Sequence, residues 1–130
     1  MNELPHGQLP GSLELAYLGD TIYDLYVRRR LVIAGGRMKD LHRAAVAQVR
    51  ASAQSEALAR IEDMLTEEEH SVVRRARNAK QNPPKNADPG DYHRSTAFEA
   101  LLGYLYLLGR EERLDEILRA ANPDKEDAHA

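Results

Sequence analysis

The sequence predicts an all-α fold. Apolar residues recur at three- and four-residue spacing along most of the chain, and no stretch alternates apolar with polar as a half-buried strand would. Glycine and proline gather at a few breaks: residues 1–11, Gly35-Gly36 and residues 82–90.

Residues 1–11, with two prolines and two glycines, read as an irregular arm. Ser12 is a suitable cap for a helix running to about Ile33, with Leu18, Ile22, Leu25 and Tyr26 on one face. Thirteen of the 21 residues from Leu13 to Ile33 are apolar, more than one buried stripe requires. This helix therefore has a second surface to cover, and a second copy of the chain is the economical way to do it. Leu15, Leu18, Ile22, Tyr23 and Tyr26 are the residues expected at that dimer interface.

Gly35-Gly36 ends the helix, and Asp40 is expected to cap the next, which carries Leu41, Ala44, Ala45, Gln48 and Val49 in register. A third helix holds Ala57, Leu58, Ile61 and Leu65. Thr66-Glu67-Glu68-Glu69 is a capping box, opening a helix through Val72, Val73 and Ala76. Residues 82–90 (NPPKNADPG) form a loop, a strongly apolar helix covers Phe98–Leu108, and a last helix runs from Arg110 to Ala121. Residues 12–121 make one domain, and the chain from Asn122 onward reads as a frayed, disordered tail.

Composition narrows the function. No run of about eighteen apolar residues is present to span a membrane, and the N-terminus lacks the layout of a secretory signal. With zero cysteines there is neither a disulfide framework nor thiolate chemistry, so a cytoplasmic address is expected. The net charge of −3 conceals an asymmetry: from Arg74 to Arg94, six Lys/Arg face only two acids. Such a segment is either a local phosphate-binding surface or a solvated loop.

Two carboxylates stand out. From Ala97 to Leu108 every residue is apolar except Glu99 and Gly103, and Asp20 lies between Leu18 and Ile22 beside Gly19. A carboxylate in such surroundings is costly unless a cation or donor meets it. Glycine inside a helix also costs roughly 1 kcal/mol against alanine, so Gly19 and Gly103 imply a packing purpose. If they let two helices approach, Asp20 and Glu99 can share one divalent ion. Oxygen ligation suits Mg²⁺ or Mn²⁺; the scattered histidines, His6, His42, His70, His93 and His129, form no zinc pattern.

Structural readings stand beside these. Thr96-Ala97-Phe98-Glu99 also matches a capping box, Asp20 has arginines near it in sequence, and Asp24 with Arg28 is an ordinary i, i+4 ion pair. The tyrosines Tyr17, Tyr23, Tyr26, Tyr104 and Tyr106 fit packing better than base stacking.

Residues 14–20 (ELAYLGD) resemble the signature of the ribonuclease III family, and residues 96–106 (TAFEALLGYLY) resemble its second motif, in the same order and at a similar separation. The resemblance implies the family's all-α, dimeric endonuclease domain. Arg77-Asn78-Ala79-Lys80, and a chain with no room for an appended double-stranded-RNA-binding domain, look like the Mini-ribonuclease III branch. That branch implies a catalytic domain alone, cleaving double-stranded RNA as a homodimer and maturing the ends of 23S ribosomal RNA precursor, with a ribosomal protein as a conceivable accessory. The likeness carries catalytic and metal-binding roles to Asp20 and Glu99, with Mg²⁺ as cofactor and Mn²⁺ as substitute. It departs at two positions: Ala16 and Thr96 stand where the classical family has acids. The RNA phosphate and water must then complete the metal's ligands.

Without a separate RNA-binding domain, affinity is expected from Arg74, Arg75, Arg77, Lys80, Lys85 and Arg94, with His42, Arg43, Gln48 and Arg50 on the second helix. Two other functions fit the same helices: a catalytically silent double-stranded-RNA-binding module, and a protein–protein adaptor whose acids serve caps and salt bridges.

Overall fold

The computed structural model describes Leu4 and residues 8–123. It contains α1 (Ser12–Ala34), α2 (Met38–Val49), α3 (Ala51–Ile61), a 3₁₀ turn (Glu62–Met64), α4 (Glu67–Arg77), α5 (Pro89–Leu107) and α6 (Glu111–Ala121). The all-α expectation holds. Residues 8–11 carry no regular structure, whereas the rest of the expected arm, apart from Leu4, and the tail beyond Pro123 lie outside the described residues. Among the described residues no helix is long and apolar enough to cross a membrane.

The apolar helix α5 is the axis of the bundle. It packs against α1, α3, α4 and α6, which explains why its sequence is apolar on nearly every side. Phe98, Leu101, Leu102 and Leu105 are fully buried, and the Phe98 ring meets Tyr23 of α1 edge-on at a centroid separation of 5.1 Å. Tyr23 also donates its hydroxyl to Asn122 at 2.8 Å, so its polar end is satisfied inside the fold. A buried ion pair joins α4 to α6. Arg113 grips Glu69 with two hydrogen bonds of 2.9 and 2.7 Å and also reaches the Met64 carbonyl.

Helix boundaries follow local chemistry, with five corrections. The Thr66 capping box forms as expected, its hydroxyl accepting from the Glu69 N–H while the Glu69 carboxylate accepts from the Thr66 N–H. Ser12, expected as a cap, is already helical behind Gly11. Asp40 sits in the first turn of α2, behind Arg37, where its charge favours the positive end of the helix. Pro89-Gly90 belongs to α5: Asp88 caps that helix by accepting from the Asp91 N–H at 3.0 Å, and Pro89 occupies a first-turn position where no N–H is needed. Thr96 and Glu99 therefore lie inside α5 and form no capping box there; the Thr96 hydroxyl donates to the Tyr92 carbonyl. The last helix begins at Glu111, one residue after the expected Arg110, following a left-handed turn at Gly109 (φ 69°).

Candidate active site

The site begins at the crossing of α1 and α5, where two glycines act reciprocally. A Cβ on Gly19 would overlap the backbone carbonyl of Glu99, and a Cβ on Gly103 would overlap that of Leu15. Each helix thus presses its backbone into the gap left by the other's missing side chain. Asp20 follows Gly19 directly and Glu99 precedes Gly103 by one turn, so the contact that fixes the crossing also sets the acids side by side.

The two carboxyl groups lie within hydrogen-bonding reach of each other. They open on a cleft of about 410 Å³ whose lining includes Ala16, Gln54, Gln81, Tyr92 and Thr96. Asp20 is exposed and Glu99 half-buried. Burial, then the neighbouring Asp20, pushes the Glu99 carboxyl up to about 8, against a smaller downward pull from the Gln54 amide. At neutral pH and with no counter-charge, Glu99 therefore keeps its proton.

A hard divalent cation fits this donor set. Both carboxyl groups line the open cleft, and the charge that burial suppresses on Glu99 is the one a cation would restore. Among the described residues no cluster of three or more acidic, histidine or cysteine side chains is available as a fuller cage. Ala16 and Thr96 line the same cleft.

One cleft residue escapes sequence reasoning. Gln54, on α3, is 2% exposed; its amide nitrogen donates to the Val49 carbonyl at 2.7 Å and to Glu99 Oε2 at 3.3 Å. A single glutamine in an amphipathic helix carries no signal in the sequence. Asp24 takes the expected structural role, accepting from Arg28 at 3.1 Å on the surface.

The expected RNA-contacting residues divide. Arg74, Arg75, Arg77, Lys80 and Lys85 are exposed on the end of α4 and the loop that follows, which borders the cleft through Gln81. His42, Arg43 and Arg50 are also exposed, Gln48 is half-buried, and Arg50 lies between the cleft residues Val49 and Ala51. Arg94 is held by partners within the fold. Its guanidinium bonds Glu62 at 2.5 Å and Ser55 Oγ at 3.0 Å, tying α5 to α3 and the turn, so it is already committed within the fold.

The expected dimer residues divide too. Leu15 and Tyr23 are buried within the single chain, at 3% and 1% exposure, and cannot reach a second copy. Leu18, Ile22 and Tyr26 remain partly open. The larger exposed apolar residues of α1 and α2 are Leu13, Tyr17, Leu25, Val32, Ile33, Met38 and Val46. Leu13 and Tyr17 of this set line the cleft, while Leu25, Val32 and Ile33 lie outside it on α1.

Comparison with known proteins gives a consistent set of relatives. Residues 13–110 match the Ribonuclease III domain family. A protein of Symbiobacterium thermophilum named Mini-ribonuclease 3 is 55% identical over 111 residues, which span 84% of this chain and 85% of that one. A Mini-ribonuclease 3 of a Thermoanaerobacter species is 48% identical over 108 residues, spanning 82% of this chain and 76% of that one. An X-ray structure of a Fusobacterium nucleatum protein superposes with a TM-score of 0.78 at 35% identity, covering 84% of this chain and 88% of the other.

Proposed function

Since this chain belongs to the ribonuclease III family and is an endoribonuclease of the Mini-ribonuclease 3 kind, we propose that it hydrolyses phosphodiesters of double-stranded RNA at Asp20 and Glu99 with Mg²⁺. The observation that carries the reading is the backbone-fixed convergence of these two carboxyl groups in one open cleft. When bound there, Mg²⁺ supplies a polarised water and positive charge to offset the phosphate's developing negative charge.

The chain's own residues do the rest. Asp20 and Glu99 hold the cation, with Glu99 giving up its proton to do so. Gln54 keeps the Glu99 carboxylate oriented. The basic end of α4, the following loop and the exposed residues of α2 neutralise backbone phosphates, which suits a duplex read mainly by shape and 2′-hydroxyls. Two copies associated through the open apolar face of α1 and α2 would present two sites, one for each strand. The 23S ribosomal RNA precursor is the proposed substrate, with a ribosomal protein as accessory and the cytoplasm as the place of action.

The test is incubation of the protein with a 23S precursor duplex and Mg²⁺, alongside Asp20→Asn and Glu99→Gln. We expect cleavage by the parent alone, with no change in the helical spectrum of the variants. Unaltered cleavage by both variants would reject the site. Binding without cleavage by the parent would point instead to the silent module, and neither binding nor cleavage to the adaptor.

A further inference from the structure

We infer that Gln54 is a positioning residue of the metal site, clamping the Glu99 carboxylate from the junction of α2 and α3. The inference rests on the assignment of Asp20 and Glu99 as metal ligands.

The two hydrogens of Gln54 Nε2 meet two acceptors, the Val49 carbonyl at 2.7 Å and Glu99 Oε2 at 3.3 Å. The Val49 partner is a backbone carbonyl, which only accepts, so the opposite orientation of the amide would set oxygen against oxygen there. The carbonyl end, Gln54 Oε1, is left buried with no hydrogen-bond partner. An unpaired buried acceptor works against folding, and an apolar side chain of similar length would avoid that cost. The amide therefore serves something other than the core, and Glu99 is the group of chemical consequence that it touches.

The surroundings show why a clamp is needed. Ala16 offers no polar group to the cleft, and Thr96 turns its hydroxyl back to the Tyr92 carbonyl. The Gln54 amide is thus left to steer Glu99 Oε2. Its bond to Val49, the last residue of α2, anchors it to backbone, so Glu99 is steered from a fixed point. Partners that orient a metal's ligands in this way typically influence affinity by roughly 10- to 100-fold.

The experiment compares Gln54→Met and Gln54→Asn with the parent. Gln54→Met has no donor, and Gln54→Asn keeps the amide but is one methylene too short to bridge both acceptors. Mn²⁺ binding is followed in the absence of RNA by the loss of the free-ion paramagnetic signal, with circular-dichroism melting beside it and Glu99→Gln as reference. Both variants are expected to melt cooperatively with the parent's helical content, and to weaken Mn²⁺ binding by roughly 10- to 100-fold. Unchanged Mn²⁺ binding in the folded Gln54 variants, with binding weakened in Glu99→Gln, would overturn the clamp alone. Unchanged binding in Glu99→Gln would overturn the metal site, and the clamp with it. Loss of the fold in both Gln54 variants would assign the amide to structure and also overturn the proposal.

Discussion

Gly19 of α1 rests on the backbone of Glu99 of α5, with no room between them for a methyl group. Gly103 repeats the arrangement against Leu15. Asp20 and Glu99 are thereby positioned by main chain pressed on main chain, which has little freedom to yield.

Replacing either glycine by alanine should consequently cost more than the helix propensity of alanine returns. We expect Gly19→Ala and Gly103→Ala each to lower unfolding free energy by about 3 kcal/mol, the upper end for overpacking a core, because the obstacle is backbone. Urea denaturation followed by circular dichroism measures this. A variant as stable as the parent would contradict the close crossing.

The proton on Glu99 sets a pH dependence. The unfolded chain ionises this group near 4.5, whereas the folded chain holds the proton to about 8. Through this residue, metal-free stability falls as pH rises across that window. Metal binding must expel the same proton, so the Mg²⁺ concentration for half-maximal cleavage should fall about tenfold per pH unit up to about pH 8 and then level off. Half-saturation that does not vary with pH would show that Glu99 is ionised before the metal arrives.

Glu69 shows the opposite sign. Its hydrogen bonds from Arg113 hold the carboxyl below the usual range despite burial. Its contribution to stability is present above the unfolded value and is lost as pH falls through the lowered folded value. Arg113→Ala should destabilise by about 3 kcal/mol because it strands a buried charge, and Glu69→Gln by less. Thermal melts of the two variants at neutral pH compare them directly.

The apolar face of α1 and α2 yields a test of assembly. Leu25 and Ile33 are 67% and 68% exposed in the single chain. We expect Leu25→Glu with Ile33→Glu to convert a dimer to a folded monomer in sedimentation-equilibrium experiments. A parent that is already monomeric at micromolar concentration would remove the dimer from the proposal.

RNA binding should depend steeply on salt. Replacing Arg77 and Lys85 by alanine should reduce the slope of log affinity against log salt by about one for each phosphate no longer neutralised. Filter binding across a salt series reads this directly. Unchanged slopes would move the interface away from the α4 end.

Features governed by local chemistry are the most legible in the sequence. The Thr66–Glu69 capping box can be read because its partners are three residues apart, and the Gly35-Gly36 stop because α1 ends there with Gly35 at positive φ. The same kind of motif misleads at Thr96–Glu99, since nothing between those residues reveals that Asp88 has already opened the helix upstream. Pro89 misleads because a residue that breaks a helix interior is welcome in its first turn. Leu15 and Tyr23 belong to a helix apolar on two sides, and the pattern alone does not tell which side the chain covers itself. Arg94 and Gln54 depend on partners far away in sequence, at Glu62 and Glu99, which only the packing of α3 on α5 brings near.

Ala16 and Thr96 still border the cleft although neither bears a charge. Because the spacing of the two helices depends on glycine and backbone, acids at these positions could be lost without moving the scaffold. Restoring carboxylates there would crowd negative charge around Glu99, making the empty protein less stable and the cation more strongly held. On the proposed function, these two small side chains would set how far the site depends on ambient magnesium and on its substrate. On that proposal the RNA would itself help to complete the apparatus that cuts it.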